Sequence, residues 1–202
     1  MTNTSNLINK LFLLTLTSIL ISSCTPDTSE SSNGKKAWNI SDGVEFPNNR
    51  PLLRSEDGIM LPDGTLIVAD QRYGLAKIDI TGSVEPFGNF KAIGYMHNPP
   101  QIESGPNGVH LSPKKTHILT ADIFYGKIYR TSIDTGTTEI VYSHEYGVNT
   151  AIQDSTGAIW FTQSTQNKNE ERMFEAIAKP ISDGALFRLP LLSSGEISKK
   201  PD

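Results

Sequence analysis

The feature that most limits the fold of this chain is a six-residue pattern, Ala-Asp-x-x-Tyr-Gly, which stands at 69–74 and again at 121–126, 52 residues on. Each copy closes a short apolar run, TLIVAD ending at Asp70 and THILTAD ending at Asp122. Each is followed by a second run, LAKIDI or KIYRTSI, that stops at Thr81-Gly82 or Thr135-Gly136. A looser third copy starts at Asp154-Ser155-Thr156-Gly157, passes through AIWFTQ to Gln163 and resumes with ALFRL after Gly184. Its strand end lies 41 residues beyond Asp122. Short apolar runs of this kind, punctuated by Asp-Gly and Thr-Gly pairs, read as strands joined by tight turns. A period of roughly 40 to 50 residues carried by such strands is the mark of β-propeller blades. A kelch or generic solenoid repeat is the competing reading.

The copies predict an all-β chain: a partial six-bladed β-propeller of about three blades, with one short helical insertion. The insertion is NKNEERMFEAIAKP, where Met173, Phe174 and Ile177 fall at helical spacing behind charged residues and Pro180 is the stop. Its apolar stripe reads as packing rather than as a ligand site. A ring of six blades takes on the order of 270 residues at the repeat length of such folds. The expectation is therefore a truncated half-propeller, or one half of a split or oligomeric ring.

Composition closes off several classes. The 202 residues carry 18 basic against 22 acidic side chains, with no basic run interleaved with aromatics, which argues against nucleic acid as a partner. One cysteine forms no internal disulfide, and four scattered histidines without a cysteine partner give no zinc spacing.

Residues 1–23 read as an export signal: the uncharged LFLLTLTSILI from Leu11 to Ile21 follows Lys10 and is too short to span a bilayer. The ending Ile21-Ser22-Ser23-Cys24 resembles a bacterial lipobox, in which the cysteine is lipidated and becomes the first mature residue. A plain secretory signal cleaved near Ser23 is the alternative, and both readings export the protein. Residues 24–40 are polar and Ser-rich and read as a flexible tether; residues 41–202 are the partial propeller. Lipid on Cys24 implies a membrane anchor without a spanning helix. With Thr25 rather than Asp after the cysteine, the lipoprotein resemblance implies the periplasmic face of the outer membrane in a Gram-negative host.

Further motifs carry a family resemblance over about residues 50–192. Ser55-Glu56-Asp57-Gly58-Ile59-x-Leu61-Pro62-Asp63-Gly64 resembles a first-blade motif whose Glu points into the central tunnel. Gly105-Pro106-Asn107-Gly108-Val109-x-Leu111-Ser112-Pro113 is similar to a Pro-Asn-Gly motif that opens a blade, and Gly147-Val148-Asn149-Thr150 to a Val-Asn-Asp motif before a later strand. Their order resembles the gluconolactonase/regucalcin superfamily of six-bladed calcium propellers, within it the strictosidine synthase-like and paraoxonase-like branch. The resemblance implies hydrolysis of a small lactone or ester with Ca²⁺ as cofactor.

Residues just before the innermost strand of each blade converge at one mouth of a propeller. Glu56, Asn107 and Asn149 hold that place. One carboxylate and two amide oxygens are hard ligands suited to Ca²⁺. The bland alternatives are a solvated Glu56-Asp57 turn pair, an Asn107-Gly108 turn, and an Asn149 amide that caps a turn. The resemblance places Asp where Thr150 stands, and a histidine base where Asn107 stands in the paraoxonase branch, so the catalytic residue stays unassigned. His97, in the Pro-rich loop YMHNPPQIESGPNG, is a candidate substrate contact; His110, His117 and His144 receive no role. No serine sits in a Gly-x-Ser-x-Gly elbow, which disfavours a serine-triad enzyme. A non-catalytic envelope propeller that binds a ligand or protein, and a non-functional fragment, are the rival readings.

Overall fold

The computed structural model describes residues 43, 45–47, 51–101, 103–166, 178, 179 and 181–202, and the strands lie in the unit Val44–Asp202. The expected leader, the tether and Cys24 fall outside the described residues. So does the expected helical insertion, apart from Ala178 and Lys179.

Among the described residues, eleven strands form three antiparallel sheets. The first holds β1 (Gly58–Met60), β2 (Leu66–Asp70), β3 (Gly74–Ile78) and β4 (Val84–Phe87) in sequence order. The second holds β5 (Pro106–Leu111), β6 (His117–Asp122), β7 (Lys127–Ser132) and β8 (Thr138–Ser143), also in order. The third holds β9 (Thr150–Gln153), β10 (Ile159–Gln163) and β11 (Ala185–Leu189), with β10 in the middle. Strand β5 packs on β1 and β2, and β9 packs on β5 and β6, so the first strands of the three sheets stand side by side. The chain is a partial β-propeller.

The apolar runs follow from this stacking. Side chains of a strand alternate between two faces, and the middle sheet is covered on both. Thus Ile118 joins the core against sheet one, with Ile67, Leu75, Val109 and Tyr129. Its neighbours Leu119 and Ala121 join the core against sheet three, with Ile128, Ala151, Phe161 and Leu189. That double coverage is why β6 is buried almost throughout. The third sheet is covered less evenly: on β9, Ala151 is buried while Ile152 is 47 % exposed. Burying each Leu- or Ile-sized side chain is worth about 1.5–3 kcal/mol.

The repeated Ala-Asp-x-x-Tyr-Gly pattern has a local cause. Asp70 and Asp122 are both fully buried at the ends of β2 and β6. The Asp122 Oδ1 accepts hydrogen bonds from the backbone N–H of Phe124 at 2.9 Å, Tyr125 at 2.8 Å and Gly105 at 3.2 Å. One carboxylate thereby closes the β6–β7 turn and ties down the segment entering β5. Asp70 does the same with Arg72 N at 2.9 Å and Leu53 N at 2.8 Å. The glycine that ends each pattern has positive φ, 84° at Gly74 and 64° at Gly126, a region that other residues rarely adopt. In the third copy Gln163 takes the aspartate's place, donating from Nε2 to the Asp183 carbonyl at 2.7 Å.

Candidate functional site

Because the strands alternate in direction, the starts of β1, β5 and β9 share one end of the sheets with the β2–β3 and β6–β7 turns and the β4–β5 and β8–β9 links. Residues 56–57, 107 and 149 therefore lie at a common mouth. Asn107 differs from expectation in one respect: it stands inside β5, not ahead of it. The β5–β6 register shifts between Pro106 and Val109, which leaves Asn107 and Gly108 out of the ladder as a bulge. A bulge re-aims the side chains it releases.

Asn107 reaches the neighbouring blade. Its Nδ2 donates to the Asn149 carbonyl at 3.0 Å and to the Asn149 Oδ1 at 2.9 Å, and the Gly108 N–H donates to the same carbonyl at 3.0 Å. Asn149 is in turn fixed by its own N–H, which donates to the Thr162 carbonyl on β10 at 2.9 Å. Gly108 is needed for the approach, since a Cβ there would lie 2.6 Å from Thr150 Oγ1. Glu56 is exposed, and its Oε1 lies 3.7 Å from the Arg54 Nε. Among the described residues no hydrogen bond links Glu56 to either asparagine. Arg54 itself lies over the Phe124 ring at 4.5 Å, with a buried Nη1 that has no hydrogen-bond partner.

A second set of polar contacts joins the three first strands. The Asp57 Oδ2 accepts the Val109 N–H at 2.9 Å, crossing from sheet one to sheet two. The same oxygen is 4.0 Å from His110 Nε2. That nitrogen is 2.6 Å from Thr150 Oγ1 at the start of β9. Sequence reasoning gives Asp57 no part beyond a turn and His110 none at all. Both fall inside the motifs that name Glu56 and Asn107, but the unpaired bulge residues break the alternation by which a strand face is counted.

His97 is placed away from the first strands. It lines a cleft of about 420 Å³ beside Arg72, Tyr73, Phe90 and Lys91, and its Nδ1 is buried without a partner. The link that carries it is anchored by Ser104, whose hydroxyl donates to the Met96 carbonyl at 2.6 Å, and by the Tyr95 hydroxyl, which donates to the Gln71 carbonyl at 2.8 Å. Burial pushes the phenols of Tyr95 and Tyr129 and the carboxyl of Asp122 above their ordinary ranges. His144 faces the third sheet, with Nε2 2.8 Å from Gln163 Oε1. Among the described residues no group of three His, Cys, Asp or Glu side chains is placed to hold a metal.

Many solved structures are similar to this chain, three of them as follows. A streptogramin B lyase matches 79 % of this chain and 44 % of its own at 18 % identity, with a TM-score of 0.46. The calcium-binding protein regucalcin from Agrobacterium tumefaciens matches 71 % and 43 % at 18 % identity, TM-score 0.42. A gluconolactonase from Xanthomonas campestris matches 75 % and 48 % at 18 % identity, TM-score 0.45. The chain spans less than half the length of each. No protein-family model and no curated protein matches it. The three-bladed architecture rests on sheet order and packing, and no activity is transferred from likenesses at this level.

Proposed function

We propose that the mouth at the starts of β1, β5 and β9 binds Ca²⁺ and that the chain is an exported, lipid-anchored propeller acting on a small lactone or ester. The observation that supports the reading is the meeting of Asn107 and Asn149 from two different blades, next to the carboxylate-bearing start of a third.

The residues fit the ion in kind. Glu56, Asn107 and Asn149 offer side-chain oxygens of the hard type, three of the roughly six to eight that Ca²⁺ takes, with water or substrate left to supply the rest. Two adjustments are required. Asn107 now presents Nδ2 to Asn149 and must turn its oxygen inward, and Glu56 must leave Arg54. Calcium held there supplies a Lewis acid that polarises a carbonyl and stabilises the oxyanion formed on hydrolysis. The proton-handling group on these strands is His110. Its Nε2 lies 2.6 Å from Thr150 Oγ1 and 4.0 Å from Asp57 Oδ2, so the imidazole is held beside the three first strands, where it would take a proton from water.

A second reading, a non-catalytic propeller that binds a ligand at the cell envelope, draws support from the same geometry. Asn107 already donates to Asn149, and Arg54 already offsets Glu56.

Thermal melting with Ca²⁺ and with chelator separates the readings. Calcium binding raises the melting temperature by mass action; the shift should disappear in Asn149→Ala and grow in Arg54→Gln, which frees Glu56. Identical melting curves with calcium and with chelator reject the metal site. Hydrolysis of a lactone panel, lost in His110→Gln with the calcium shift retained, supports the enzyme. Calcium binding without turnover supports the binding module. Export through Cys24 is tested by labelled palmitate, whose incorporation should vanish in Cys24→Ser.

A further inference from the structure

The cleft that holds His97 is built from the β2–β3 turn, Pro86 of β4 and the link to β5, and none of its lining residues belongs to β1, β5 or β9. It shares no residue with the asparagine mouth.

The floor of the cleft is rigid and aromatic. Phe90, in the 3-10 turn Phe90–Ile93, is 2 % exposed and meets Tyr95 edge to face at 5.4 Å and Tyr129 at 5.2 Å. Its ring lies so close to Gly74 that a Cβ on that glycine would stand 2.3 Å from it. Met96 forms one wall, 56 % exposed, with its carbonyl held by Ser104. Such a site keeps its shape before a ligand arrives, which lowers the cost of binding.

Its charge runs against that of the chain. The protein carries a net −4, yet no carboxylate lines the cleft while Arg72 and Lys91 do. The Arg72 guanidinium is fixed by Asp70, at 3.2 Å, and by the Pro51 carbonyl. Lys91 has no ion pair among the described residues. The third polar feature is His97 Nδ1, a buried nitrogen without a hydrogen-bond partner, a condition rare in folded proteins unless a ligand or water completes it.

We propose that this cleft binds a small organic anion: an apolar or aromatic body seated on Phe90, Tyr73 and Met96, with one carboxylate directed to Lys91 and a polar atom that pairs with His97 once its imidazole turns Nδ1 toward the cleft. Charge on the ligand and an apolar body are both needed, because the floor offers only packing and Lys91 is exposed.

The four methionines make the test direct, since Met96 lies on the cleft and Met60 on β1. The full chain, labelled with ¹³C on its methionine methyl groups, is titrated with phenylacetate and, separately, with phenylacetamide. The expected result is a saturable shift of Met96 with Met60 unmoved, binding of the amide weaker by about fivefold, and a similar loss for phenylacetate in Lys91→Gln, the scale of one exposed charge pair. His97→Gln, checked for retained folding by its unchanged Met60 signal, should weaken both ligands alike. A Met96 signal that stays put up to about 10 mM phenylacetate, at the weak end of the affinity scale, overturns the proposal. Equal affinity for acid and amide overturns it too.

Discussion

Asp154 shows how much one side chain contributes to this fold. Its Oδ1 accepts from the Thr156 N–H at 2.8 Å, the Thr156 hydroxyl at 2.6 Å and the Ala158 N–H at 3.1 Å, and its Oδ2 accepts from the Trp160 indole at 2.8 Å. Those donors, the Thr156 hydroxyl foremost, hold its carboxyl down at about 2. A folded pKa below the unfolded one gives stability that is present above the unfolded pKa, near 3.8, and is lost as pH falls through about 2. The Trp160 Nε1–H resonance should move with a midpoint near pH 2, and the movement should vanish in Asp154→Asn. A midpoint near the ordinary 3.8 would show that the hydrogen bonds are absent in solution. Asp79 repeats the arrangement, with Thr81 and Ser83 as donors, and its carboxyl is lowered for the same reason.

At the scale of the element, the turns decide where strands stop. Gly74 combines φ of 84° with the Phe90 ring packed against its Cα. Gly74→Ala imposes both a strained backbone and a clash in the core, so it should destabilise the chain by about 2–4 kcal/mol, read as a shift in the urea midpoint. Gly64 has a similar φ of 84° but open space around it, so Gly64→Ala should cost about 1 kcal/mol, the backbone term alone. Equal midpoints for the two variants would mean that Phe90 yields to the new methyl group. The bulge in β5 is the other deciding element, since it converts a strand residue, Asn107, into a contact between blades.

Across the whole molecule, sheet three keeps one face outward. On sheet three, Ile152 pairs with Trp160 and Trp160 with Arg188, while Leu186, 63 % exposed, stands two residues away on β11. On sheet one, Met60 is 67 % exposed. Exposed apolar side chains grouped on one sheet face favour association. Sedimentation of the chain should reveal concentration-dependent self-association, reduced in the double variant Ile152→Lys and Leu186→Lys. A monomer at every concentration tested would show that the faces are tolerated in water.

The repeat makes the blade strands legible from residues alone. Tight hydrogen-bonding turns need Asp and Gly at set offsets, and a strand that packs into a core needs apolar residues, so β2, β3, β6, β7, β10 and β11 carry their own local signatures. Strands β4 and β8 carry weaker ones; Val84–Phe87 and Thr138–Ser143 alternate poorly, being partly exposed. The candidate site is legible in composition but not in partnership. Asn107 and Asn149 stand 42 residues apart in sequence, and only the packing of β9 on β5 brings them into contact. Glu56 beside Arg54, His110 between Asp57 and Thr150, and His97 in an outer cleft are likewise decided by tertiary structure. Local rules specify which residues turn or extend, because their causes act within a few bonds. Which side chains face one another depends on bulges and on sheet stacking, whose causes lie in distant parts of the chain.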